Sequence, residues 1–352
     1  MLRDDPIVLR YPEYLPTEEE VELAVGLLQR PGHAELWEAL RESVSIGGSP
    51  TADLLRFCWQ ARQEKKRGEE CAKEAVELVR RCVETRRTLG MDSLLATSCP
   101  LAPEFRELYL ATVPTSFHGA DRLGHPLYIL RYGSVDMLAF QRLWQEGELA
   151  RQRCGLAENA AVLAYLRGVE YMTKVLMPEQ ARLVGRPVDR ALVVIDLAGI
   201  GMRHLDPVLK SFLGGVSKHA SILVPETVFS IVVVNAPWTL SRAAWPLAKR
   251  FAHPVTQAKV CVFSSVGEAA SKLLELVEEP HLPPYLGGGC RCPECASGRL
   301  RGGSLLAWDA AQASRAADAD DGGPLAEAPL AEPAAEPQAE PWDALLRCSC
   351  LE

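Results

Sequence analysis

Three short apolar runs, each rich in valine and isoleucine, dominate the centre of the chain. They lie at about residues 190–196, 228–234 and 259–263. Uninterrupted runs of this length are typical of strands that are buried on both faces. Segments of helical period separate the runs, and a helix is the usual crossover between parallel strands. This region therefore predicts an α/β core with a mainly parallel sheet.

The residues before this core have the pattern of a helical module. Thr17 and Glu20 have the spacing of a capping box, Ser49-Pro50 suits the start of a helix, and Gly90 suits the end of one. The pattern predicts helices at about 17–30, 33–44, 50–67 and 69–89. By itself this module indicates no chemistry.

Further elements are predicted between the module and the end of the core. The segment DRLGHPLYILRYG predicts a turn followed by a strand at about 127–132. We expect a helix after residue 158 to stop at Pro178, because proline interrupts helical hydrogen bonding. The other predicted helices lie at about 136–153, 205–218 and 266–278. We expect the folded part to end at LPPYLGGG (282–289) and the chain after about residue 300 to be dispensable.

Charge and hydropathy exclude some classes of protein. A net charge of −8 argues against a dedicated nucleic-acid binder. The first residues, MLRDDPIVLRYPEY, lack the pattern of a signal peptide, and no apolar run reaches the ~18–20 residues of a bilayer span. We therefore expect a cytoplasmic protein. From about residue 310 the chain is rich in Ala, Glu, Asp and Pro, which predicts a flexible acidic tail.

One group among the eleven cysteines has a metal-like spacing, C-x-C-x-x-C, at Cys290, Cys292 and Cys295. Zinc takes four ligands, and no fourth cysteine or histidine follows closely. His281, Cys348 and Cys350 are the remaining candidates. We expect no metal site and no cofactor.

Familiar catalytic motifs are absent from the sequence. It contains no phosphate loop, no dinucleotide-binding glycine motif, no H-E-x-x-H and no G-x-S-x-G. Asp196 follows a buried strand, where a capping role is expected. We therefore expect a binding protein and not an enzyme.

A charged pair flanks two of the apolar runs. Glu226 precedes the second run and Lys259 opens the third, with Thr256 close by. If these runs form neighbouring parallel strands, both residues lie at the same edge of the sheet. An ordinary ion pair is the first interpretation, and a site for a polar headgroup is the second.

Several segments resemble a known family in order and spacing. VVIDLAGIG, PETVFSIVVVNAPW, HPVTQAK and LPPYLGGGC resemble the CRAL-TRIO lipid-binding domain, and in particular the yeast secretory phosphatidylinositol/phosphatidylcholine transfer proteins. The resemblance covers about residues 35–290. It implies an α/β bowl in which a mixed, mainly parallel sheet floors an apolar lipid pocket, preceded by the helical module. The expected divisions are an extension (1–16), the helical region (17–100), the lipid-binding domain (101–290), and a cysteine-containing linker with a disordered tail (291–352).

The resemblance also implies a site for an inositol phosphate headgroup. Its residues here are Glu226, Thr256 and Lys259, together with an arginine from the third helix. RFCWQAR departs by one residue from the family's spacing, so Arg62 is the expected match and Arg56 the alternative.

Recognition of a choline headgroup matches less well. The family's serine and threonine on the first core strand are replaced by Ala191 and Val193, and one of its two tyrosines is replaced by Phe117, whereas Tyr128 remains. The resemblance therefore implies a phosphatidylinositol ligand, with choline-lipid binding lost or altered. A sterol or another lipid as second ligand stays open.

The resemblance further implies a mobile gate helix near 238–251. Its apolar residues would shield acyl chains when closed and contact a membrane when open, although an ordinary core helix fits the same pattern. These residues are Trp238, Leu240, Ala244, Trp245 and Leu247.

The function implied is binding of a phospholipid and its transfer between membranes, with presentation to a lipid kinase. We expect a monomer that associates transiently with membranes. The alternative is a regulatory or scaffold module that binds lipid weakly or not at all, and a pocket filled by side chains would favour it.

Overall fold

The computed structural model of this chain describes residues 11–46, 49–239 and 254–320. The helices are α1 (Glu18–Leu28), α2 (Ala34–Arg41), α3 (Pro50–Gln63), α4 (Gly68–Leu89), α5 (Pro103–Thr112), α6 (Met137–Cys154), α7 (Ala160–Tyr171), α8 (Met177–Val184), α9 (Pro207–Leu223), α10 (Pro254–Lys259), α11 (Val266–Leu276), α12 (Pro293–Ser297) and α13 (Ser304–Asp320). The strands are β1 (Thr115–Ala120), β2 (Pro126–Leu130), β3 (Ala191–Asp196), β4 (Val228–Val234), β5 (Val260–Val262) and β6 (Gly302–Gly303).

The described residues form one six-stranded sheet with the strand order β5-β4-β3-β2-β1-β6. Strands β2 to β5 run parallel to one another, β1 is antiparallel to β2, and β6 runs parallel to β1. The predicted mixed, mainly parallel sheet and the N-terminal helical module are confirmed. Helices between the strands cover the sheet, as parallel crossovers require.

The central strands place alternate residues on two differently covered faces. Leu192 and Val194 share an apolar cluster with Leu273 of α11, which covers one face. Ala191 and Val193 lie on the other face, in a second cluster with α7 and α9. Because both faces are covered, these strands need an unbroken apolar sequence.

The N-terminal helices α1 to α4 have an apolar cluster of their own. Thr17 accepts a hydrogen bond from the Glu20 amide, and the Glu20 carboxylate accepts one from the Thr17 amide, so the predicted capping box is confirmed. The module packs on the main domain through α4 and α9, where the Cys82 thiol lies 3.5 Å from the Leu223 carbonyl oxygen.

The prediction that a helix stops at Pro178 is wrong. The chain passes from α7 through a π-helical segment, Met172–Leu176, directly into α8. Pro178 lies in the first turn of α8. The π-helical segment before it changes the hydrogen-bond pattern, so the proline ring does not clash with the carbonyl group four residues earlier.

The prediction for the third apolar run also needs correction. Residues Pro254 to Lys259 form the short helix α10, so Lys259 ends a helix instead of opening a strand. Strand β5 follows immediately and pairs with β4. Strands β4 and β5 are therefore neighbours, which was the condition for Glu226 and Lys259 to lie at the same edge of the sheet.

The expectation that the fold ends at LPPYLGGG is wrong. The chain continues into α12, β6 and α13, and β6 extends the sheet beside β1. Leu305 and Trp308 of α13 are buried in the main core, where Trp308 packs against Tyr171. Strand β1 and helix α5 were not predicted, because their mixed sequences carry no clear apolar period.

Candidate functional site

A cavity of about 740 Å³ lies between the sheet and helices α7 and α9. Its floor is one row of paired residues that crosses the sheet from β1 to β5, because the strand register places them side by side. This floor row consists of Phe117, Tyr128, Val193, Ile231 and Val260. All four residues that the sequence assigned to a pocket, including Ala191, line this cavity.

The opposite wall of the cavity is also largely apolar. It is formed by Tyr165 and Val169 of α7, by Met172 of the π-helical segment, and by Val216 and Ala220 of α9. A cavity lined in this way favours hydrocarbon over water. The volume lies within the range of about 300–1,000 Å³ that small-molecule pockets occupy.

Aromatic rings pack against one another at one end of this cavity. The rings of Phe117 and Tyr128 stack with centroids 4.6 Å apart, and Tyr165 meets Tyr128 edge-on at 6.4 Å. Burial raises the pKa of Tyr165 to about 12 and raises the pKa of Tyr128 well above its usual value. Both phenols therefore stay protonated at neutral pH.

The other end of the cavity carries charge. Lys259 Nζ lies 2.6 Å from Glu226 Oε2, and the Gln63 side-chain amide donates a 2.7 Å hydrogen bond to Glu226 Oε1. The ammonium also lies 4.9 Å from the centre of the Trp59 ring. Lys259, Glu226 and Gln63 all line the cavity. The sequence singled out Glu226 and Lys259, and the structure brings them together.

Glu226 holds an unfavourable backbone conformation. Its φ of +58° lies in the left-handed region, which costs a non-glycine residue about 1 kcal/mol or more. The conformation directs the carboxylate towards Lys259 and Gln63, while the Glu226 carbonyl accepts a 3.2 Å hydrogen bond from Arg56 Nη1. Such strain is typical of functional positions.

Two buried arginines belong to the surroundings of this charged end. Arg56 is buried and pairs with Asp189 at 2.8 Å. Arg190 is also buried, and this burial lowers its pKa to about 10 although Glu226 raises it. Neither Gln63 nor Arg190 was predicted from the sequence. Arg190 had a detectable signal, since it directly precedes β3 and therefore lies at the strand edge that Glu226 shares.

Arg62, the arginine expected at the headgroup, has its charged atoms elsewhere. Its guanidinium contacts the Glu20 carboxylate at 2.8 Å and donates a 2.7 Å hydrogen bond to the Glu13 carbonyl. The alternative, Arg56, is the arginine that contacts Glu226. This geometry does not support a headgroup role for Arg62.

The remaining expected site residues are only partly described. The backbone of Thr256 lies in α10. Trp238 is described and is 70% exposed. The other residues assigned to the gate lie outside the described residues: Leu240, Ala244, Trp245 and Leu247.

The family model for the CRAL/TRIO domain matches residues 110–288. The chain belongs to the CRAL/TRIO family. It is similar to the phosphatidylinositol/phosphatidylcholine transfer protein SFH14 of Arabidopsis thaliana, with 30% identity over 195 residues that make up 54% of this chain and 31% of that protein. It is also similar to the Sec14 cytosolic factor of Schizosaccharomyces pombe, with 27% identity over 242 residues, 69% of this chain and 76% of that protein.

Among solved structures, the crystal structure of Sfh5 matches with a TM-score of 0.46 at 18% identity, covering 74% of this chain and 84% of that one. The CRAL/TRIO match contains the whole cavity floor from β1 to β5. It stops two residues before Cys290, so α12, β6 and α13 lie beyond it. Within the described residues, the helices are too short or too polar to span a bilayer.

Proposed function

We propose that this CRAL/TRIO protein binds one phosphatidylinositol molecule and transfers it between membranes. One observation carries the proposal: a single cavity joins an apolar floor to the Glu226–Lys259 pair. A phospholipid has the same division, with apolar acyl chains and a charged headgroup. Relatives of the chain are named as transfer proteins for phosphatidylinositol and phosphatidylcholine, which supports the same class of ligand.

The charged end suits an inositol phosphate. An ammonium group has three donors, so Lys259 can bind a phosphate oxygen and keep its contact with Glu226. The Glu226 carboxylate accepts hydrogen bonds from inositol hydroxyls, and the Gln63 amide helps to orient it. Thr256 belongs to this proposed headgroup site through the family resemblance.

The cavity floor disfavours a choline headgroup in the positions that the resemblance assigns to it. Ala191, Val193 and Phe117 line the cavity but carry no hydroxyl group. A phosphate placed there would lose hydrogen bonds, and an unpaired buried charge is costly. We therefore propose that phosphatidylcholine binds more weakly than phosphatidylinositol.

Burial of the acyl chains explains why such a protein would act at membranes. Each buried CH₂ contributes about 0.8 kcal/mol, so spontaneous release of a lipid into water is slow. Exchange is then expected only at a bilayer, where the chains pass directly between apolar environments. We propose a non-catalytic monomer that associates transiently with membranes and presents the lipid to a lipid kinase.

The test is mass spectrometry of lipids extracted from the purified full-length chain, with vesicle-to-vesicle transfer of labelled phosphatidylinositol in parallel. Lys259→Ala should lower bound and transferred phosphatidylinositol by about thirtyfold, because it removes a buried charged partner. Lys272→Ala is the matched control, since this lysine pairs with Glu275 on the surface of α11.

The outcomes separate the possible functions. Phosphatidylinositol in the wild type and in Lys272→Ala, but depleted in Lys259→Ala, supports the proposal. A different lipid in all three proteins would keep the cavity and overturn the choice of headgroup. A protein that extracts no lipid and transfers none would instead be a regulatory or scaffold module.

A further inference from the structure

Four side chains from two distant parts of the chain meet beside the edge of the sheet. His118 lies in β1, and Cys290, Cys292 and Cys295 lie after the GGG turn and at the start of α12. Their ligand atoms all lie within 4.8 Å of one another. The sequence offered only His281, Cys348 and Cys350 as a fourth partner for the cysteines. The fold supplies His118 instead, from 177 residues before Cys295.

The spacing of these atoms suits a tetrahedral metal ion. Zinc–sulfur bonds of about 2.3 Å and zinc–nitrogen bonds of about 2.0 Å place neighbouring ligand atoms roughly 3.5–3.8 Å apart. Cys295 Sγ lies 3.6 Å from His118 Nε2. Small side-chain adjustments bring the other pairs from within 4.8 Å to this spacing.

Burial of the cluster also fits a structural metal site. His118, Cys290 and Cys295 are buried, and Cys292 is half-buried. A cavity of about 330 Å³ borders Cys292 and His118 and provides an entry path for an ion. The cluster is thus enclosed by protein, and Cys292 is the ligand that is partly exposed to solvent.

A carboxylate lies beside the imidazole on the side that faces away from Cys295. Glu294 Oε1 accepts hydrogen bonds from the backbone amides of Arg301 (2.7 Å) and Gly303 (3.2 Å), and Oε2 accepts one from the Ser116 hydroxyl. The same Oε2 lies 4.0 Å from His118 Nδ1. With Nδ1 towards a carboxylate, Nε2 faces the sulfur atoms, which is the usual arrangement around a metal-binding histidine.

We propose that His118, Cys290, Cys292 and Cys295 form a structural zinc site. Three thiolates and one imidazole are a common ligand set for structural zinc, whereas calcium and magnesium prefer oxygen ligands. Four protein ligands fill the tetrahedron, so the site holds the fold together and leaves no position for a substrate.

The zinc site would connect the CRAL/TRIO domain to the segment that follows it. His118 is next to Phe117, a residue of the cavity floor, while the cysteines precede β6 and α13. β6 approaches β1 so closely that a Cβ atom at Gly303 would lie 2.3 Å from the Phe117 carbonyl oxygen. The ion therefore fixes the outer edge of the cavity floor by fastening β1 to this C-terminal segment.

The first test is elemental analysis of the full-length chain purified under reducing conditions. We expect about one zinc ion per chain in the wild type. Cys295→Ser and His118→Ala should each lower the zinc content by about tenfold or more. Cys154→Ser is the matched control, because Cys154 is exposed and lies outside the cluster, and it should keep the full zinc content.

The second test needs no variant, so it remains decisive if the substituted chains fail to fold. Wild-type protein is alkylated with iodoacetamide before and after zinc removal by a chelator, and the modified cysteines are mapped by mass spectrometry. Zinc should slow modification of Cys290, Cys292 and Cys295 by about tenfold or more, since a metal-bound thiolate is a poor nucleophile. Cys154 should react at the same rate in both samples.

Several results would overturn the proposal. A wild-type chain that contains no zinc and takes up neither Zn²⁺ nor Co²⁺ has no such site. Zinc that persists in both Cys295→Ser and His118→Ala, or protection of Cys348 and Cys350 in place of the cluster, would refute these ligands. Stoichiometric iron or copper would refute the choice of metal.

Discussion

Two buried ion pairs, each joining a glutamate to a distant basic residue, lie in different parts of this chain. Glu20 pairs with Arg62 at 2.8 Å inside the helical module, and Glu226 pairs with Lys259 at 2.6 Å at the end of the cavity. Both pairs are largely hidden from solvent. They differ in what surrounds them, and that difference separates a structural role from a binding role.

In the Glu20–Arg62 pair both carboxylate oxygens and both terminal guanidinium nitrogens are hydrogen-bonded within the protein. The Glu20 carboxylate accepts hydrogen bonds from the backbone amides of Thr17 and Gly68 as well as from Arg62. Arg62 also donates to the Glu13 carbonyl. These contacts join α1, α3 and the start of α4, so the pair holds helices together.

The Glu226–Lys259 pair instead borders a cavity. Glu226 and Lys259 both line this cavity, and the backbone of Glu226 there has an unfavourable left-handed conformation. An ammonium and a carboxylate that face open space retain donor and acceptor capacity for a ligand. A buried ion pair thus indicates a binding site only when space remains beside it.

The largest expected effect on stability comes from breaking the structural pair. Arg62→Ala should lower the free energy of unfolding by about 3–5 kcal/mol, because it leaves Glu20 charged and buried without its partner. Denaturant unfolding measures this change. Arg41→Ala, which breaks an exposed pair with Glu38, should cost under about 1 kcal/mol.

The lipid content of the same variant decides the role of Arg62. Folded Arg62→Ala should keep its phosphatidylinositol, within about twofold of the wild type, since the guanidinium does not contact Glu226. Loss of the lipid with unchanged stability would show that Arg62 binds the headgroup and that the Glu20–Arg62 pair is not a structural pair.

A smaller loss of stability is expected at the cavity. Lys259→Ala should lower the free energy of unfolding by about 1 kcal/mol, since water in the cavity can solvate the Glu226 carboxylate. Thermal unfolding beside Arg62→Ala measures the difference. Equal destabilisation by the two variants would show that both pairs are structural.

The acid dependence of stability should also depend on the structural pair. Burial raises the pKa of Glu20, but hydrogen bonds from Thr17, Arg62 and Gly68 outweigh it and hold the pKa below the usual 4.5. A depressed pKa contributes stability above pH 4.5 that is lost as the pH falls through the folded value. Unfolding curves of wild type and Glu20→Gln should therefore converge as the pH drops below about 4.5. A constant difference down to pH 3 would contradict this assignment.

The smallest expected effect concerns the choice between lipids. Restoring hydroxyl groups to the cavity floor with Val193→Thr and Phe117→Tyr should raise the bound share of phosphatidylcholine by about threefold, as expected for a modest hydrogen bond. Lipid extraction and mass spectrometry measure the share. Val208→Thr, on α9 outside the residues that line the cavity, is the control and should leave it unchanged. An unchanged share in the double variant would show that these positions do not select the headgroup.

Much of the fold was predictable because its signals are local. Strand β4 occupies the predicted residues 228–234, and the capping box at Thr17 forms as its spacing indicates. The segment after residue 289 was not predicted to fold, because Leu305 and Trp308 are buried only by contact with a distant part of the core. Likewise the sequence predicts a helix end at Pro178, since a π-helical segment has no clear sequence signal.

The sequence by itself determined the α/β class and the CRAL/TRIO resemblance, and it predicted that Glu226 and Lys259 meet if their strands are neighbours. These follow from periodicity within short segments and from the rule that neighbouring parallel strands begin at the same edge. Only the tertiary structure decided that Arg56 and not Arg62 contacts Glu226, and that His118 joins the three cysteines. Both results depend on which side a helix or an edge strand presents to a distant segment, and that orientation is set by packing of the whole chain.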